Sequence, residues 1–275
     1  MDNELLKELQ KVELEILLEV DRVCKKHNIK YFLVSGTLLG AIRHKGFIPW
    51  DDDIDICMPV SDYRRFCKIA QEEIGENYFL QNYNTDYTNI WFAKIRKNGT
   101  TAIEAGHEAR LNHQGVWVDI FPLIGVKKEE KWLRLVTKQA NFAKWLLGKK
   151  LGLMEEEKLP VYKMLHRLLP LKVFRLFCKL IYKVTFKPSQ RFDYCYYLWG
   201  SKNITARFIS DLFDELCEVE FEGHMFPAPK RWDEYLTKVY GDYMTPPPPE
   251  KRTGGCHTIS IVDLDNDYSK HMKNK

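Results

Sequence analysis

The chain has 275 residues, 45% of them hydrophobic and 29% charged, with a formal net charge of +4. That composition excludes a disordered, collagenous or low-complexity chain, and a charge so near balance argues against a nucleic-acid partner. Seven cysteines without a CxxC spell neither a disulfide scaffold nor a zinc ribbon, which points to a reducing compartment.

The first residues, MDNELLKELQ, carry acids early and lack the apolar core of a signal peptide. No run reaches the ~18 apolar residues of a spanning helix. The expected location is the cytoplasm, free or peripheral on the inner face of the cell membrane. Residues 4–26 place Leu5, Leu9, Val12, Ile16, Val20 and Val23 at helical spacing, and Asn28 is a natural stop. Tyr31–Val34 reads as a buried strand, Ser35-Gly36-Thr37 as a turn, and Leu38–His44 as a short helix. After a loop with Gly46, Pro49 and Trp50, Ile54, Ile56 and Met58 alternate with Asp53, Asp55 and Cys57, the period of a strand. Residues 61–74 return to helical spacing. Strands are expected at Tyr78–Gln81, Asn89–Arg96, Thr101–Glu104 and Gly115–Phe121.

Residues 127–191 carry 17 Lys and Arg against 5 Glu and no Asp, a balance of +12, which leaves −8 for the remainder. Gly148, Gly152, Pro160 and Pro170 divide this stretch into several basic helices. Within 170–186, Lys172, Arg175, Lys179 and Lys183 recur at helical steps among Val173, Phe174, Leu176, Phe177, Leu180 and Ile181. Such a helix suits an anionic membrane surface, and equally the flank of a core. Further on, a helix over Arg231–Tyr240 stops at Gly241, and Pro246–Pro249 reads as polyproline.

Asp53 and Asp55 point to one face of their strand, with Cα atoms roughly 6.5–7 Å apart. Like charges so close need neutralisation, and hard oxygen ligands favour Mg²⁺ or Mn²⁺. An EF-hand is rejected: Asp51, Asp53, Asp55 and Asp62 fall at loop positions one, three, five and twelve, but Ile56 stands where the sharp turn needs glycine. Asp119, inside the apolar Val116–Phe121, is costly as a lone charge and would find its partner in a shared metal. Ser35, Gly36 and Thr37 offer backbone N–H groups and a hydroxyl at a helix N-terminus, a phosphate cradle. Arg43, Lys94 and Arg96 are candidate phosphate clamps.

Together, Ser35-Gly36-Thr37-Leu38-Leu39-Gly40-Ala41-Ile42-Arg43 and Gly46-Phe47-Ile48-Pro49-Trp50-Asp51-Asp52-Asp53-Ile54-Asp55 resemble the signature of the LicD family. This is the phosphocholine-transferase group, to which the fukutin-related ribitol-phosphate transferases are similar. The resemblance continues through Lys94–Arg96, Gly115–Pro122, Phe221-Glu222-Gly223 and Tyr240–Met244, and is lost in the basic middle. It implies an α+β fold with a polymerase-β-like nucleotidyltransferase core, a mixed sheet flanked by helices, with an added basic helical region. The expected domains are a catalytic core over 1–125, a basic insertion over 126–192, and a C-terminal segment over 193–275 packing on the core.

The implied reaction is Mg²⁺-dependent transfer of an alcohol phosphate from a CDP-alcohol, CDP-choline foremost, to a glycan hydroxyl of a lipopolysaccharide, teichoic acid or capsule precursor. In that scheme Asp53, Asp55 and Asp119 hold the metal and act in catalysis, and Asp119 accepts the hydroxyl proton. Ser35, Gly36, Thr37, Arg43, Lys94 and Arg96 bind substrate. One departure is Gly255-Cys256-His257, which stands where paired histidines are expected after Lys251-Arg252. The rivals are a DxD glycosyltransferase, for which ~50 residues before the DxD leave little room, an inactive glycan- or membrane-binding protein, and a nucleotidyl transferase releasing diphosphate.

Overall fold

The computed structural model describes residues 1–126, 130–153, 168–185, 194–197, 208–252 and 258–272. Helix α1 (Asn3–His27) opens on the Asp2 side chain, which accepts from Leu5 N at 2.8 Å, and closes at Asn28 in the left-handed region. There follow β1 (Phe32–Leu33), α2 (Ser35–His44), β2 (Asp55–Pro59) and α3 (Val60–Glu73). Then come β3 (Tyr78–Gln81), β4 (Ala93–Lys97), β5 (Thr101–Glu104) and β6 (Trp117–Val126). The basic stretch holds α4 (Glu130–Lys150) and α5 (Leu171–Thr185). The C-terminal part adds β7 (Tyr194–Tyr197), β8 (Phe208–Ile209), β9 (Leu216–Phe221), β10 (His224–Pro229), α6 (Trp232–Tyr240) and β11 (Ile259–Asp263).

The fold is α+β, as expected, and its mixed sheet runs β1-β2-β6-β4-β3. Strand β6 is the axis. It runs parallel to β2, antiparallel to β4 through its first half, and antiparallel to β7 through its second. Helices α1 and α3 both pack on β6 and on each other. The core is built from Ile16, Leu17 and Val20 of α1, Phe66 and Ala70 of α3, and Ile56, Ile95, Val118 and Ile120 of the sheet. The two faces of the sheet therefore differ. Ile56 and Ile120 pair across one face, and Asp55 and Asp119 across the other.

Several expected elements shift. The acidic strand begins at Asp55, so Asp53 lies in the approach to it. The Ser35-Gly36-Thr37 triplet is the first turn of α2, with Val34 as its cap, and Ser35 sits at φ 51°. That left-handed geometry costs a non-glycine residue on the order of 1 kcal/mol. The run Pro246–Pro249 ends in a 3₁₀ turn over Pro249–Lys251. The β9–β10 hairpin, absent from the sequence reading, turns on Glu222 and Gly223, both at positive φ. Glycines explain the tightness of this corner. A Cβ on Gly40 would strike the Gly46 carbonyl, and one on Gly46 would strike the Glu222 carboxylate, which accepts from Phe47 N at 3.0 Å.

Helices α4 and α5 form a second, smaller core, in which Ala143, Leu147, Phe174 and Cys178 pack with Trp91 and Ile124. Arg175 fastens α5 to the connection between β3 and β4 by donating to the Asp86 carbonyl at 2.8 Å. Among the described residues, no helix is long and apolar enough to cross a membrane.

Candidate active site

Three acids converge because of register. Asp55 and Asp119 are direct partners across the parallel β2–β6 ladder, and the Asp119 N–H donates to the Ile54 carbonyl at 2.9 Å. That bond draws the approach segment onto β6 and brings Asp53 beside them. Carboxylate oxygens of Asp53, Asp55 and Asp119 lie within 4.8 Å of one another, and all three residues are buried.

Lys94 faces them. Lys94 pairs with Asp119 across β4–β6, with Nζ 2.9 Å from Oδ1 and donating to Oδ2 at 3.2 Å. Trp117 Nε1 donates to the same Oδ2 at 3.3 Å, and the Trp117 ring lies 4.3 Å beneath the ammonium. Asp119 is thus held on both oxygens, Oδ1 by the ammonium and Oδ2 by the ammonium and the indole. Three carboxylates gathered this closely favour a positive charge among them, and their hard oxygens suit a small divalent cation. The residues present fit such an ion.

The α2 N-terminus borders this cluster. Thr37 Oγ1 accepts from the Asp55 N–H at 2.8 Å, so the hydroxyl fixes the acidic strand to the helix. The Ser35 N–H donates to the Tyr235 hydroxyl at 3.1 Å, across 200 residues of sequence. A Cβ on Gly36 would meet an Asp51 carboxylate oxygen at 2.5 Å. Glycine there lets the Asp51 carboxylate lie against the first turn of α2, at the positive end of the helix. The cradle expected for phosphate is thus bordered by a carboxylate of the chain itself.

Of the three expected clamps, only Lys94 meets the acids. Arg96 shares its face of β4 but spends its donors elsewhere, Nε on Gln81 Oε1 and Nη1 on the Gly115 carbonyl, each at 2.6 Å. Burial lowers its pKa to about 10 against the pull of Asp119, so it stays charged. It ties the sheet together, and no donor the structure assigns it points at the carboxylates. Arg43 sits in the last turn of α2, roughly 12 Å along the axis from Ser35. It donates to the Tyr243 carbonyl at 2.7 Å, and its pKa is lowered by burial and by Arg252 nearby. His257 lies outside the described residues. Sequence reasoning missed Trp117, Asp51 and Tyr235. The Trp117-x-Asp119 spacing on one strand could have flagged the first; Asp51 stood in the family motif without its contact to the α2 first turn, and Tyr235 is a long-range contact with no local signal.

The Arg96 network ends on His113. The Gly115 N–H donates to His113 Nδ1 at 3.1 Å, so the ring is neutral, with Nε2 facing Asn98 Oδ1. Burial, then the charge of Arg96, pushes its pKa down to about 4 from 6.5. Unfolded chains take up this proton below pH 6.5 while the folded protein does not. Stability is therefore full above that pH and falls toward pH 4, by about 3 kcal/mol from this group. Urea denaturation at pH 7 and pH 4 should show a smaller loss for His113→Gln. Equal losses in the two proteins would refute the assignment.

Comparison with known proteins places residues 28–151 under a family model described as LicD/FKTN/FKRP, nucleotidyltransferase domain. The chain is 33% identical over 257 residues to the lipopolysaccharide cholinephosphotransferase LicD of Haemophilus influenzae, spanning 89% of this chain and 93% of that protein. It is 52% identical over 77 residues to an uncharacterised Rickettsia prowazekii protein, 28% of this chain and 27% of the other. Against human ribitol 5-phosphate transferase FKRP it is 26% identical over 111 residues, 40% of this chain and 21% of that protein.

Proposed function

The chain belongs to the LicD family and is a phosphotransferase of that type, and from this we propose that it moves an alcohol phosphate, foremost phosphocholine, from a CDP-alcohol to a glycan hydroxyl. The acceptor class is a cell-surface glycan precursor such as lipopolysaccharide, in keeping with the bacterial relative it matches over nearly its whole length. One observation carries the chemistry: Asp53, Asp55 and Asp119 gather buried oxygens within 4.8 Å beside Lys94. Phosphoryl displacement needs mainly positioning and charge neutralisation, and this is an arrangement that supplies both.

Asp53, Asp55 and Asp119 would hold Mg²⁺ or Mn²⁺. The chemistry such an ion would supply is neutralisation of charge on the diphosphate and on the CMP leaving group. The acceptor oxygen bonds to the β-phosphorus, the bond from that phosphorus to the CMP oxygen breaks, and the hydroxyl proton passes to a carboxylate of the triad. Lys94 steadies Asp119 from the far side. Thr37 holds the Asp55 backbone, and Gly36 leaves room for the Asp51 carboxylate at the helix terminus. A DxD glycosyltransferase is disfavoured, since the relative matched over 89% of this chain is a cholinephosphotransferase.

The test offers CDP-choline, CDP-ribitol, UDP-sugars and nucleoside triphosphates with a lipid-linked glycan acceptor, with and without Mg²⁺. Metal-dependent CMP release from a CDP-alcohol is the expected result. Diphosphate release from a triphosphate, or UDP from a sugar nucleotide, would overturn the reading, as would silence on every donor.

A further inference from the structure

Helix α5 has two apolar stripes, and the fold uses one. Phe174 and Cys178 are buried against α4, with Leu171, Ile181 and Tyr182 half-buried beside them. The opposite stripe, Val173, Leu176, Phe177 and Leu180, follows i, i+3, i+4, i+7 and is 40%, 57%, 38% and 55% exposed. A surface helix ordinarily presents polar residues on its outer side. Leu168 and Leu169, just ahead of it, are exposed as well. From 168 to 185 the chain contains four cations and no acid. Exposed Lys172, Lys179 and Lys183, at steps of seven and four, form a ridge along one border of the outer stripe.

A second observation lies on that border. Lys179 and Lys183, with Arg64 and Lys68 of α3, line a cavity of about 470 Å³ whose walls include Tyr83 and Tyr182. Its lining contains four cations and no carboxylate. We infer that α5 seats the protein on an anionic membrane, with the outer apolar stripe entering the interface and the basic cavity receiving lipid headgroup phosphates. Apolar side chains flanked by lysines are the pattern that binds such surfaces, each cation adding attraction to the anionic leaflet. A second copy of the chain is a poorer occupant, because a two-fold interface would set the same lysines against each other. The inference goes beyond the transfer reaction and does not depend on it.

Flotation of the full chain with vesicles tests it, comparing phosphatidylcholine alone with phosphatidylcholine containing phosphatidylglycerol. Binding at least about tenfold stronger to the anionic vesicles, weakening with salt, is expected. Leu176→Glu with Leu180→Glu should abolish it, and Lys179→Gln with Lys183→Gln should weaken it by about tenfold. All four positions are exposed, so unchanged melting confirms intact folding. Equal binding to neutral and anionic vesicles, no binding, or unchanged binding by the leucine variant would each overturn the inference. So would a dimer that the leucine variant splits while vesicle binding persists. The readout is binding, so failure of the transfer assay leaves it standing.

Discussion

Asp55→Asn should lower CDP-alcohol turnover by about a thousandfold while the protein stays folded, and in excess chelator the variant should melt no lower than the parent. The first half follows from the site's charge. If a divalent ion is held by three carboxylates, replacing one weakens the neutralisation of the reacting diphosphate, and a loss of roughly 4 kcal/mol is a factor of about 10³. The second half follows from crowding. Asp53, Asp55 and Asp119 are buried together, and removing one charge relieves repulsion that the ion would otherwise offset. Asparagine keeps the size of the side chain, and the backbone bond from Asp55 N to Thr37 Oγ1 is unaffected. Asp53→Asn should behave alike. Initial rates of CMP release in saturating Mg²⁺, with melting curves in chelator, measure both halves. Near-parental turnover in either variant would remove the metal reading, and a collapse of melting temperature would mean that the acids serve the fold instead.

The acidic strand was legible because Ile54, Ile56 and Met58 alternate with the aspartates. Asp119 was legible as the third acid from the cost of a lone charge in an apolar strand and from the family resemblance, but the register across β2–β6 that sets it opposite Asp55 is a tertiary property with no local signal. The two-residue spacing of Lys94 and Arg96 correctly places both on one face of β4. It cannot say that Gln81 and the Gly115 carbonyl take up one guanidinium while Asp119 takes up the neighbouring ammonium. The start of α2 was misplaced because Val34 offers no capping side chain, and the first turn is secured instead by Tyr235, far along the chain. The hairpin tip Glu222-Gly223 carries no strand periodicity that marks it in the sequence. Its reason is a close approach: the Glu222 carboxylate lies against Gly46 and accepts from Phe47 N. Motif glycines were thus visible as letters, and their meaning was visible only as close approaches.

Lys94→Met separates a lysine that balances charge from one that merely fills space. Methionine keeps the length and the apolar stem against Trp117 and Phe92, so packing is largely preserved. The ammonium is lost, and in the absence of metal three buried carboxylates are left without the ion pair at Asp119. Breaking a buried pair from one side costs about 3–5 kcal/mol. For a protein of this size that corresponds to roughly 10 °C of melting temperature. Added Mg²⁺ should restore much of the deficit, because the ion supplies positive charge to the same oxygens. The expected pattern is therefore a large loss in chelator and a small one in millimolar Mg²⁺, read by thermal melting of parent and variant in both buffers. Equal deficits in the two buffers would show that Lys94 and the metal do not act on one cluster, and the site would have to be sought elsewhere on the sheet. A rise in KM for the CDP-alcohol at unchanged kcat, with the metal-dependent pattern absent, would instead assign Lys94 to the donor phosphates.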